Sequence, residues 1–143
     1  MSYGQASFLS VGISRIDRQH HRIAEIIAKL HNADSRGDTC AVTDTLYELL
    51  NQIIEHFAAE NAMLQNAGHP LAIHYRRTHE AFIARVNNYA LQLEGGQNVI
   101  RRLLADLHIW WNGHLQHHQA DNALLSKSKG LFSRILRGLY QRK

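Results

Sequence analysis

Residues 41 to 64 read AVTDTLYELLNQIIEHFAAENAML. Leu46, Leu49, Leu50, Ile53, Ile54, Phe57 and Met63 recur at three- and four-residue intervals, the spacing of one face of an α-helix. The pattern predicts a helix from about Val42 to Gln65 with that stripe in a core. His56 and Glu60 lie four residues apart within it, one turn of helix, and so share a face. A carboxylate one turn from a histidine inside a helical bundle is a common way to build a two-metal site. The carboxylate bridges two cations while imidazoles fill terminal positions.

The same periodicity continues on both sides, and no stretch alternates with period two for long. Upstream, Asp17 reads as the N-cap of a first helix that turns Ile23, Ile26, Ile27 and Leu30 inward, until NADSRGD interrupts it. Downstream, NAGHP ends the second helix, and Pro70 opens a third that reaches about Glu94. GGQ then separates a fourth, from about Asn98 to Ser126. Four long amphipathic helices joined by short loops predict an all-α fold, an antiparallel up-down-up-down four-helix bundle. An extended N-terminal segment precedes it and a short basic helix follows.

Composition agrees with one such domain: 143 residues, 45% hydrophobic, 20% charged and a single proline. The formal charge of +4 is unevenly placed. Residues 127 to 143 carry Lys127, Lys129, Arg134, Arg137, Arg142 and Lys143 with no acid; take these six from +4 and the preceding residues hold −2. The basic character belongs to the tail, so nucleic acid is not an expected partner of the body. Leu131, Phe132, Ile135, Leu136, Leu139 and Tyr140 fall on one face of that tail. It therefore reads as a basic amphipathic helix for a membrane surface or a partner protein, or as a fifth helix folded on the bundle. The expected division is 1–126 for the bundle and 127–143 for the tail. The lone Cys40 excludes an internal disulfide, no apolar run approaches a membrane span, and the N-terminus lacks an export pattern. A cytoplasmic location is expected, peripheral to the inner membrane surface if the tail docks there.

Eleven histidines are unusual for this length. His20 sits near the start of helix one, His79 on helix three, and His114 and His118 one turn apart on helix four. With His56 and Glu60, every helix contributes a candidate metal ligand.

In order and spacing, ISRIDRQHHRI, HFAAENAML, GHP followed by HEAF, and WWNGH resemble the signature segments of hemerythrins and bacteriohemerythrins. The resemblance covers about residues 8 to 125. It implies an antiparallel four-helix bundle around a non-haem di-iron centre that binds dioxygen, or another small diatomic ligand. At matching positions, His20, His56, His79 and His114 would be terminal ligands and Glu60 a bridging carboxylate. Two positions depart from the family. Tyr75 stands where a histidine four residues before His79 is usual, and Gln119 where a bridging aspartate is usual. On a regular helix Tyr75 shares the face of His79 and His74 does not, although a π-bulge would bring His74 round. Tyr75 is the expected inward residue, either as a phenolate ligand or packed with its hydroxyl on water or Glu60. On helix four His118 is preferred over Asp121 as the replacement for the missing aspartate, since Asp121 lies about 10.5 Å along the axis from His114. Asp17 and Gln19 are expected near His20, the former also as a cap, and Trp110 as a wall over the site.

The resulting expectation is an oxygen-binding or oxygen-sensing protein with two irons. One iron or zinc is the alternative cofactor. A redox enzyme of oxidase or peroxidase type, or a metal-binding interaction module, is the alternative function.

Overall fold

The structure is a computed structural model that describes residues 14–127, with side chains described for 15–117. The extended N-terminal segment and the basic tail beyond Lys127 lie outside the described residues. Four α-helices follow one another: α1 (Ser14–Ser35), α2 (Thr39–Asn66), α3 (Ala72–Glu94) and α4 (Ile100–Lys127). Each packs on its sequence neighbours, and α1 also packs on α4, which closes the ring of a four-helix bundle.

Local chemistry sets the ends. The Asp38 carboxylate accepts a hydrogen bond from the Ala41 backbone N–H at 3.0 Å and caps α2, which therefore begins three residues before Val42. Helices α1, α2 and α3 stop in the same way. A glycine with positive φ (Gly37 at 68°, Gly68 at 64°, Gly96 at 82°) reverses the chain. The next residue's N–H then bonds a carbonyl five residues back, as Asp38 does to Ala33 at 3.1 Å. A side chain at those glycines would be strained, which is why each break falls at a glycine rather than at Pro70 or the polar residues around it.

Two expectations need correction here. Asp17 is not the cap of α1, because the helix starts at Ser14 and places Asp17 within its first turn. The apolar stripe begins earlier than expected, with Ile16 fully buried. Ile54 is not in the core: it is 43% exposed while Ile53 is completely buried. One residue is about 100° of helix, which carries Ile54 past the edge of the stripe.

The core is continuous along the bundle, from Leu30, Ala33, Leu46 and Ala90 through Ile23, Ile53, Val86 and Leu107 to Phe57, Phe82 and Trp111. Exposed pairs tie neighbouring helices outside it. Arg22 and Lys29 of α1 each meet the Glu48 carboxylate of α2 at 2.8 Å. The Lys29 hydrogen bond, with both cations nearby, holds that carboxyl below its ordinary 4.5. Tyr47 donates to Glu94 at 2.7 Å, linking α2 to α3, and Arg85 meets Asp106 at 2.8 Å, linking α3 to α4. Among the described residues no helix is long and apolar enough to cross a membrane.

Candidate metal centre

His20 and His79 lie near the starts of α1 and α3, Glu60 near the end of α2 with His56 one turn before it, and His114 midway along α4. These positions meet at one level only because alternate helices run in opposite directions. All five side chains are buried: His20 and His56 completely, Glu60 at 3% exposure, His79 at 5% and His114 at 9%. Buried charged and polar groups at this density are costly unless they satisfy one another.

They converge on Glu60. Its Oε1 lies 2.6 Å from His56 Nε2, 3.1 Å from His114 Nε2 and 3.8 Å from His20 Nε2. Its Oε2 lies 3.4 Å from His79 Nε2. His56 and His114 also bring their Nε2 atoms to 2.9 Å. The donor atoms of His20, His56, Glu60 and His114 all lie within 4.8 Å of one another. Each oxygen of the carboxylate thus faces its own imidazoles, the arrangement of a bridging group.

The far sides of two rings determine what the near sides offer. His56 Nδ1 is 2.9 Å from Gln19 Oε1, and His79 Nδ1 is 2.8 Å from Asn61 Oδ1. An amide oxygen only accepts, so both Nδ1 atoms carry the proton and donate it. A neutral ring then presents Nε2 as a bare lone pair, and both Nε2 atoms face carboxylate oxygens. Lone pair against lone pair is repulsive unless a proton or a metal cation lies between. Fixing an imidazole from behind is also how proteins prepare it as a metal ligand. The donor set therefore fits a cation, and its imidazole and carboxylate chemistry suits iron or zinc.

Aromatic rings close the site. Phe57 stacks on His79 with centroids 3.8 Å apart and planes 7° from parallel. Trp110 stacks on His114 at 5.1 Å and on Phe82 at 4.1 Å, which gives it the wall position expected of it. Trp111 meets His20 edge-on at 5.6 Å and lies over His114 at 6.0 Å.

At the start of α3 the helix is regular, without a bulge, and His74 is exposed while Tyr75 is half-buried. Tyr75 shares the face of His79, their ring centroids 6.5 Å apart. It also contacts the rings of His69 at 5.8 Å and His117 at 6.2 Å. The backbone at His118, Gln119 and Asp121 continues α4, but their side chains lie outside the described residues. Gln19 was expected beside His20, yet its hydrogen bond goes to His56 across the α1–α2 interface. Sequence reasoning passed over Asn61 and Trp111. Trp111 precedes His114 by three residues and so shares its face, a spacing that was available to be read; nothing in the sequence marks Asn61 beyond its place next to Glu60.

The profile of the hemerythrin HHE cation binding domain matches residues 11–126. This chain belongs to the hemerythrin family. It is 34% identical over 108 residues to a bacteriohemerythrin of Stenotrophomonas maltophilia (strain R551-3), covering 76% of this chain and 71% of that protein. It is 33% identical over 112 residues to a bacteriohemerythrin of Pseudomonas aeruginosa (strain LESB58), covering 78% and 73%. A bacteriohemerythrin of Campylobacter jejuni is 31% identical over 87 residues, covering 60% and 65%. This hemerythrin-family chain thus carries a buried cluster of histidines and one glutamate within a domain described as cation binding.

Proposed function

We propose that this chain holds two iron ions between its four helices and binds or senses dioxygen or another small diatomic ligand. The observation that carries the reading is Glu60, whose two oxygens face separate imidazoles across a buried, aromatic-walled site. His20, His56, His79 and His114 are the terminal ligands in this reading, with His118 as the further donor from α4. When bound, iron supplies one-electron redox chemistry and open coordination positions for a small ligand. Glu60 supplies the negative charge that lets two cations lie close together. Gln19 and Asn61 fix the rings of His56 and His79, and Phe57, Trp110 and Trp111 keep bulk water away. The bundle is residues 1–126 and the basic tail 127–143. The protein works in the cytoplasm, and the tail contacts an anionic membrane surface or a partner protein.

Tyr75 favours a second reading of the same centre. Its half-buried ring lies beside His79, at the place where the family has a histidine. As a phenolate it would be a hard anionic donor that favours the ferric state, which suits redox turnover better than reversible carriage.

One preparation tests both. Protein purified from iron-replete cells is assayed for metal per chain, and its visible spectrum is recorded before and after oxygen exposure. Two irons with a reversible oxygen-dependent band support carriage or sensing. One metal or none sinks that role. A visible phenolate-to-iron band that disappears in Tyr75→Phe supports ligation by Tyr75, and an unchanged spectrum in the variant excludes it.

A further inference from the structure

Trp111 is 2% exposed, and its indole Nε1 is buried with no hydrogen-bond acceptor among the described residues. A phenylalanine or leucine would fill a core position without leaving a buried N–H unpaired, an arrangement that native proteins rarely tolerate. The ring lies against two of the imidazoles that form the centre. It packs edge-on against His20, over His114 and against Trp110 at 5.8 Å. Both imidazoles present Nε2 to the same Glu60 oxygen. The acceptors nearby are committed elsewhere: the Gln19 and Asn61 carbonyls accept from His56 and His79, and in the di-iron reading the Glu60 oxygens face the cations.

We propose that the Trp111 indole N–H is the hydrogen-bond donor to the small ligand held at the metal centre. The inference rests on the di-iron reading above. It assigns the ligand a chemistry: compact enough for an aromatic-walled site, and carrying an anionic or electron-rich acceptor atom. An N–H dipole stabilises such an atom more than it does a neutral diatomic, so Trp111 sets the preference of the site for anionic ligands.

Azide is the probe, titrated into the iron-loaded ferric protein. Trp111→Phe keeps an aromatic ring in place. Substitution of the same residue by benzothienylalanine keeps the indole's shape and removes only the N–H. At unchanged iron content, the benzothienyl protein should bind azide about tenfold or more weakly than the parent. The azide infrared stretch should shift in both variants. Azide affinity within about threefold of the parent and an unmoved stretch in the benzothienyl protein would overturn the proposal. A parent protein that takes up no iron would defeat the di-iron reading and this inference with it, whereas failure of the variants alone leaves that reading standing.

Discussion

Glu60→Gln removes the only carboxylate among the described ligand candidates while keeping size, helix propensity and hydrogen-bonding capacity. In the parent, four imidazole nitrogens lie 2.6 to 3.8 Å from this carboxylate. At about 3 Å and an effective dielectric near 20, one carboxylate charge attracts a divalent cation by roughly 11 kcal/mol before desolvation is counted. Desolvation offsets most of this, and the net cost of removing one partner from a buried ionic contact is about 3 to 5 kcal/mol. Iron affinity should therefore fall roughly a hundred- to several-thousand-fold, since each 1.4 kcal/mol or so is a factor of ten. Competition with a chromophoric chelator reads the affinity directly, and far-ultraviolet circular dichroism checks that the four helices persist. Glu60→Asp retains the charge but withdraws it by one methylene, so its loss should be intermediate. If Glu60→Gln binds iron within about threefold of the parent while still folded, the carboxylate is not a ligand and the centre has been misread.

Four further substitutions probe the surroundings of that carboxylate and the outer face of the bundle. Gln19→Leu and Asn61→Leu each remove the acceptor behind an imidazole and should weaken iron binding by about 10- to 100-fold, measured by the same competition; unchanged affinity would mean the rings are held in some other way. Phe57→Ala empties a core position stacked on His79 and should cost about 3 to 5 kcal/mol, or roughly 2 M in the urea midpoint. A loss under about 1 kcal/mol would show that the ring carries little packing. The Glu48 carboxyl titrates lower in the folded protein than its ordinary 4.5, so its contribution is present above that pH and fades as acid protonates it in the native state. Glu48→Gln should lower the melting temperature by about 1 to 3 °C at pH 7, the deficit should shrink as the pH is taken below 4.5, and a deficit independent of pH would rule out the ion pairs as the cause.

The four helices were legible because each carries a stripe that repeats with the helix period, and periodicity survives any detail of packing. Their ends were less so. Ile16 extends α1 upstream of the Asp17 cap signal, and the Asp38 cap starts α2 at Thr39 rather than Val42, since a cap is decided by one side chain and not by a repeat. Ile54 failed for a related reason: a hydrophobic residue adjoining the stripe looks like part of it until the neighbouring helices fix which arc is covered. In the centre, the histidines and Glu60 could be named from their one-turn spacing and their distribution over four helices. Their orientation could not, because Gln19 supports His56 and Asn61 supports His79 across helix interfaces that no local pattern encodes. The position of Tyr75 follows from helix geometry alone, since α3 stays regular through it.

The end of the bundle that carries the centre has one chain connection, the turn at Gly68 between α2 and α3, whereas the opposite end has two, at Gly37 and Gly96. Chain continuity alone therefore holds α1 and α4 less firmly where the histidines meet. A cation bound there would act as a clasp across all four helices, and because it binds the assembled state alone it would add about 4 kcal/mol at a thousand times its dissociation constant. The resistance of this protein to unfolding would then be set by the cell's free iron as well as by its hydrophobic core.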